Sequence, residues 1–470
     1  MNKLVVLLCK APKIFLFVIV FQFFFSEKGC SEVRRANDFI DSIGVTTHVR
    51  FEKLTYNTKY NQPNGGWRRL LIESGIRHIR DEIPNNPGKE YYWWPRINDL
   101  AANGIKSNLI VNFSPYLNGR PRTYPEIESE IVQHLGWLKN NLLSSVESIE
   151  AVNEPRGFGW EKAFGKGRDG WINRVKFYHR KLHEHSKSDP SLAHLPILGS
   201  AWGALWYFNA TDVGDLSPYV DYGNFHPYPG GRAPEESFLD NTFLQMRDRL
   251  QKYNFPGRQM IVTEVGYHNS LNDRQTLHHY IPEDLEAIYA PRMFLEYFRL
   301  GFRRTYYYEF LDGICNPRKD KVNLTFGMID CNLNPKPTYY SMKNLISILN
   351  DKNLNSDNDT KFEPQKLDYN FFGDTSDARH ILLQKKNGKY YIVVWRALSI
   401  WNVDQKKRLP FTPKYLRLNL PRDIYISPKY YLPNNSTNGL ALAGNGSSSI
   451  QFPVDARPIV IEFSKRPIVP

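Results

Sequence analysis

Apolar and polar positions in this chain repeat in a two-part rhythm. A short apolar run of strand character is followed by a longer stretch whose apolar residues recur three and four apart, the period of an amphipathic helix. From about residue 41, eight such pairs can be counted. The strands fall at 43–47, 76–80, 107–112, 148–152, 196–200, 220–225, 260–263 and 304–309. Their helices fall at 67–74, 94–102, 124–143, 171–186, a short one near Asp212, then 238–253, 284–300 and 339–349. Gly75, Gly104 and Gly301 stand just ahead of strands. This repetition argues for right-handed crossover units around a parallel sheet. Eight of them fit a (β/α)8 TIM barrel. An open doubly wound sheet usually has fewer units and a Gly-rich phosphate turn, and no such turn follows the first strand.

The rhythm changes beyond residue 350. Residues 351–364 are polar and read as a linker, and the helical period then disappears. Runs at 379–384, 390–396, 415–420, 424–432, 449–452 and 458–463 alternate as strands, with turns such as Asn387-Gly388 between them. Residues 365–470 therefore read as a smaller antiparallel β-sandwich domain, and 31–350 as the barrel.

Residues 1–30 read as a signal peptide. Lys3, Lys10 and Lys13 precede the apolar run 14–25, and small residues follow near Gly29 and Cys30. The rival is an uncleaved anchor, for which the run is short. The mature chain is expected to be secreted, with no stable membrane insertion after cleavage. Cysteine usage agrees. Cys9 and Cys30 lie in or beside the signal, and Cys315 and Cys331 read as one disulfide in an oxidising compartment. Asn112, Asn209, Asn323, Asn358, Asn434, Asn435 and Asn445 all occupy N-x-Ser/Thr, so a glycoprotein is expected.

Charge narrows the partners only slightly. The net charge is +13, but the basic residues are scattered, with no basic block and no zinc-finger or RNA-binding signature. Nucleic acid is not expected as a partner, and an acidic polysaccharide stays open. Aromatics reach 14%, which suits core packing or stacking on sugar rings. His278-His279 beside Asp273 and Glu283 matches no standard ligand set, so neither metal nor cofactor is expected. No Gly-x-Ser-x-Gly elbow supports an esterase.

Candidate chemistry collects at one end of the strands, where a barrel binds its substrate. Arg80 and Asp81 end the second strand, and Asn153 and Glu154 the fourth. Trp202 follows the fifth, His226 and Tyr228 the sixth, Glu264 the seventh, and Glu309 and Asp312 the eighth. Trp160, Trp202 and Trp206 sit on loops at that end as candidates for stacking or for packing, and His48 ends the first strand. Asn153-Glu154-Pro155 alone is close to a chance match. It gains meaning because a second glutamate, in Thr263-Glu264, ends another strand of the same barrel.

On these residues the chain resembles clan A of the glycoside hydrolases, the retaining (β/α)8 enzymes. The resemblance implies that Glu154 is the acid/base and Glu264 the nucleophile. It implies that Arg80 supports the nucleophile, and that His226 and Tyr228, in Phe225-His226-Pro227-Tyr228-Pro229, border the site. Many clan members carry a tryptophan at strand eight, where this chain reads Tyr306-Tyr307-Tyr308-Glu309-Phe310. In double displacement Glu264 must be ionised to attack the anomeric carbon, and a cation beside it favours that form. Glu154 must carry a proton for the leaving oxygen, then give it up and activate water. Asn153 is placed to hydrogen-bond the sugar 2-hydroxyl. The expected function is hydrolysis of O-glycosidic bonds in a polysaccharide or glycoconjugate by a monomeric secreted glycosidase. An inactive carbohydrate-binding barrel and a transglycosidase are the alternatives.

Overall fold

In the computed structural model the residues described are 27–29, 32–51, 54–85, 92–157, 159–166, 170–203, 211–236, 243–271, 278–316, 318–351, 362–441 and 447–465. The apolar segment of the expected signal, most of the polar linker, Trp206, Asp273, and the sequons at Asn209, Asn358 and Asn445 lie outside them.

All eight predicted barrel strands form. They are β1 (Ile43–Thr46), β2 (His78–Glu82), β3 (Lys106–Ile110), β4 (Val146–Glu150), β5 (Ile197–Leu198), β6 (Gly223–Phe225), β7 (Met260–Val265) and β8 (Thr305–Tyr307). They pair in parallel in the order β6-β7-β8-β1-β2-β3-β4-β5. Between β5 and β6 the ring closes through single parallel bridges, Leu198 to Tyr222 and Gly203 to His226. The long helices between strands are α1 (Gly66–Ser74), α2 (Trp93–Ala102), α3 (Tyr124–Asn141), α4 (Trp171–Ser188), α5 (Phe243–Tyr253), α6 (Glu283–Arg299) and α7 (Pro337–Leu349). Between β5 and β6 the described chain holds a helical turn at 211–213, at the predicted place near Asp212, and a 3-10 turn at Ser217–Tyr219.

Local chemistry accounts for these boundaries. At the start of α3 the Glu126 carboxylate accepts the Thr123 N–H at 2.8 Å, satisfying an end donor that the helix cannot. Gly75, Gly104 and Gly301 all take φ between +76° and +85°, so each releases its helix in a left-handed turn that a side chain would resist. Among the described residues no helix is long and apolar enough to cross a membrane.

The C-terminal part has two main antiparallel sheets and a small separate hairpin of Trp401–Asn402 with Lys407–Arg408. Its main strands are β9 (Tyr369–Gly373), β10 (Ala378–Gln384), β11 (Tyr390–Arg396), β12 (Lys414–Asn419), β13 (Ile424–Tyr431), β14 (Ser449–Val454) and β15 (Ile459–Lys465). In β14, exposed and buried residues alternate strictly, as expected of a strand with one face on a core. Strand β11 is buried throughout. Tyr390, Ile392 and Val394 join the sandwich core, while Tyr391, Val393 and Trp395 join the barrel core. The two parts therefore share one apolar contact.

The chain start also belongs to the sandwich. Arg34–Arg35, read from sequence as barrel, pair in parallel with β10, and Glu27–Gly29, within the expected signal, pair antiparallel with β9. The expected disulfide forms between Cys315 and Cys331, with the Cα atoms 5.1 Å apart, in the loop after β8.

Candidate active site

Strands β2, β4, β6 and β7 bring their ends together over a buried polar layer. Glu264, at the end of β7, accepts from Arg80 Nη1 at 2.9 Å on one oxygen and from the Tyr228 hydroxyl at 2.6 Å on the other. One donor on each oxygen fixes the carboxylate's orientation. Burial first, and the Glu264 charge second, push the Tyr228 phenol well above its ordinary range, so it remains a donor at any physiological pH. The Glu264 side chain keeps 17% exposure, enough to be reached from the mouth of the barrel.

Arg80 is aimed by a residue with no role in the sequence reading. Its Nε and Nη2 grip Glu150 at 2.9 and 2.8 Å, and Nη2 also donates to Asn153 Oδ1 at 2.9 Å. Burial opposes the arginine's charge, but Glu150 and then Glu264 reverse this and hold it above the ordinary arginine range. Glu150 is wholly buried and also accepts from Asn108 at 2.6 Å, Thr263 at 3.1 Å and Asn224 at 3.2 Å. Every partner needed to hold a buried ion pair is present. One signal could have revealed Glu150: a buried arginine on β2 requires an anion, and Glu150 lies in the same inward-facing row as Ser148, which bonds Asn108 at 2.8 Å.

Glu154 stands just beyond β4 with φ +36°, an uncommon conformation for a non-glycine residue. Its carboxyl keeps 21% exposure and lies 2.8 Å from Nδ1 of the fully buried His226. The other ring nitrogen is 3.0 Å from Thr263 Oγ1. That hydroxyl has one hydrogen and already faces two acceptors, Glu150 at 3.1 Å and Asn224 Oδ1 at 2.9 Å. Nε2 is therefore placed to donate to it, and Nδ1 faces the Glu154 carboxyl. Gly203 makes room for this carboxyl, since a Cβ there would come within 2.7 Å of Glu154 Oε1.

The Tyr228 ring is braced by long-range contacts. His278 lies 4.6 Å from it, Phe326 6.0 Å and Tyr308 6.5 Å, all edge-on. His278 thus packs against Tyr228, and among the described residues no group of three or more metal-ligating side chains gathers. Glu309 is buried at the end of β8, with Oε2 3.4 Å from both His48 Nε2 and the Tyr56 hydroxyl. Burial, followed by the nearby Asp312, pushes its carboxyl well above the usual range. Burial drops the His48 imidazole to about 4. At neutral pH the His48 imidazole is therefore uncharged.

Other residues singled out from sequence turn out to be structural. Trp160 is fully buried against Phe113, Phe164 and Tyr178, and Trp202 is 1% exposed with its edge on Trp171. Neither offers a face for a sugar ring, which corrects the stacking role considered for them. Asp81 accepts from the Thr47 hydroxyl at 2.7 Å and the Val49 N–H at 2.9 Å, holding the turn after β1. Asp312 pairs with buried Lys336 at 3.0 Å. Asn112, expected as a glycosylation acceptor, donates its amide to Glu82 at 3.0 Å.

An eight-stranded parallel barrel with two carboxylates at its strand ends, one gripped by arginine and tyrosine and one by histidine, is an arrangement suited to acid/base chemistry. The chain shares its fold with glycoside hydrolases. It is similar to a family 39 glycoside hydrolase from the gut symbiont Bacteroides cellulosilyticus WH2, at 14% identity over 90% of this chain and 81% of that one, with a TM-score of 0.57. It is similar to a glucosidase from Croceicoccus marinus at 10% identity over 90% and 95%, TM-score 0.55. A third similar structure is CelM2, a bifunctional glucanase-xylanase from a metagenome library, at 10% identity over 93% and 97%, TM-score 0.50. No protein-family model and no curated protein matches the chain.

Proposed function

We propose that the protein is a secreted retaining glycosidase that cleaves O-glycosidic bonds in a polysaccharide or glycoconjugate, with Glu264 as nucleophile and Glu154 as acid/base. The observation that carries this reading is the unequal support of the two glutamates. Glu264 is held by a cation and a phenol, one on each oxygen, as a nucleophile must be. Glu154 is partly exposed and faces the His226 imidazole at 2.8 Å, a setting suited to a group that gives and then takes a proton.

In the first step Glu264 attacks the anomeric carbon as Glu154 protonates the leaving oxygen. In the second, Glu154 takes a proton from water, which attacks the glycosyl-enzyme and releases Glu264. The carbonyl of Asn153 is occupied by Arg80, so its amide nitrogen is the group turned to the sugar's 2-hydroxyl. Export is supported by the basic-apolar N-terminus and by the Cys315–Cys331 disulfide, which suits an oxidising compartment.

The test is release of reducing ends from a panel of polysaccharides and aryl β-glycosides. Glu264→Gln and Glu154→Gln, each folded by circular dichroism, should lose at least about 10³-fold in kcat. Saturable sugar binding by the wild type without any release would mean an inactive barrel. Full turnover by either variant would remove the assignment.

A further inference from the structure

The proposed site has an aromatic edge that leads out of it. Tyr228, which donates to Glu264, meets Tyr308 at 6.5 Å. Tyr308 meets His48 at 5.6 Å, and His48 meets Phe51 at 5.6 Å. Tyr228, Tyr308 and His48 are each partly exposed, and Phe51 is 39% exposed, one of few large apolar side chains left in solvent among the described residues. It lies on the loop after β1. That loop is tied to the loop after β8 by the bond from Thr55 N–H to the Gly313 carbonyl at 2.7 Å, and Ile314 beside it is 45% exposed.

Polar groups border the ring. Arg50 lies over Phe51 at 4.2 Å and pairs with Glu82 at 2.9 Å, and Glu82 accepts the Asn112 amide. Arg50 and Glu82 each keep 18% exposure and His48 23%, so they remain within reach of a ligand's hydroxyls. An apolar ring edged by donors and acceptors matches a pyranose, which has apolar C–H faces and a polar rim.

The position also sets which side of the scissile bond this is. The acid/base protonates the leaving oxygen, so the leaving part of the substrate lies towards Glu154, beyond β4. Phe51 lies beyond β1, which pairs with β8 and β2 and stands two strands from β7 but three from β4, on the nucleophile's side of the ring order. We propose that Phe51, with Arg50 over one side of its ring and His48 beside it, forms a further sugar subsite on the glycone side, so that the enzyme acts on chains with at least one more sugar beyond the cleaved one. The inference rests on the proposed glycosidase reading.

The test compares 4-nitrophenyl β-glycosides carrying one sugar and three sugars, in the glucose and xylose series, with the whole mature chain. Wild type should favour the longer probe in kcat/KM. Phe51→Ala should lower the ratio of long to short kcat/KM about tenfold, the scale of one lost aromatic contact, and Phe51→Trp should restore it. Turnover with the same ratio in Phe51→Ala as in wild type would overturn the subsite and leave the glycosidase reading standing. No turnover of either length in either series, or of any polysaccharide, would overturn both.

Discussion

The Arg80–Glu150 pair gives the sharpest test of how the site is held. Both side chains are buried, at 2% and 0% exposure, and share two hydrogen bonds of 2.8 and 2.9 Å. Glu150→Leu leaves a buried guanidinium with only Glu264 and Asn153 to answer it. Arg80→Met leaves a buried carboxylate with only two amides and a hydroxyl. Removing one partner of a buried pair costs about 3–5 kcal/mol. Each single change should therefore consume a large share of the roughly 5–15 kcal/mol that holds a domain together. The double variant buries neither charge, so its loss should fall short of the sum by about 3 kcal/mol or more. Urea unfolding of the four proteins, followed by tryptophan fluorescence, reads this coupling. Additivity within about 0.5 kcal/mol would show that the pair is not a unit and refute the reasoning.

Three further outcomes follow from the geometry. Tyr228→Phe deletes the 2.6 Å bond to Glu264, a hydrogen bond to a charged group, so kcat should fall about 10- to 100-fold with the fold intact; an unchanged kcat would deny the phenol its place at the nucleophile. Cys315→Ser with Cys331→Ser opens a 16-residue separation and should cost about 3 kcal/mol, read as a lower urea midpoint. Burial pushes the Glu286 carboxyl to about 7, above its ordinary 4.5, so folding favours its protonated form. That contribution is complete below about pH 4.5 and is lost as pH rises through about 7, a change of about 3 kcal/mol. Tm should fall between pH 5 and 7.5 in wild type, and Glu286→Gln should flatten that slope; parallel slopes would count against it.

The barrel was legible because parallel strands buried on both faces read as apolar runs, and glycines in left-handed turns marked where helices end. The positions of Glu154, Glu264, Arg80, His226 and Tyr228 followed from counting those runs. What brings them together did not. Glu150 looked like part of an apolar strand until its row partners faced each other across the barrel. His278 and Phe326 reach Tyr228 from distant loops, a contact that no periodicity encodes. The tryptophans misled for the opposite reason. A tryptophan on a loop can face sugar or core, and burial of Trp160 and Trp202 settles that only once neighbouring helices are in place. Strand β9 was missed because Phe371 and Phe372 stand side by side, which blurs the strand alternation, and because it ends at Gly373, with φ +115°. The stitching of Arg34–Arg35 into the sandwich involves two residues, too few to carry a period.

The central claim is that Glu264 forms a covalent bond to the sugar. Incubation with activated 2-deoxy-2-fluoro β-glycosides, which slow breakdown of a glycosyl-enzyme, followed by peptide mass spectrometry, tests it directly. The account predicts one sugar adduct on Glu264, in the peptide containing Met260–Val265, and none in Glu264→Gln. An adduct on any other residue, or turnover of natural chains with inverted anomeric products and no adduct, would contradict it.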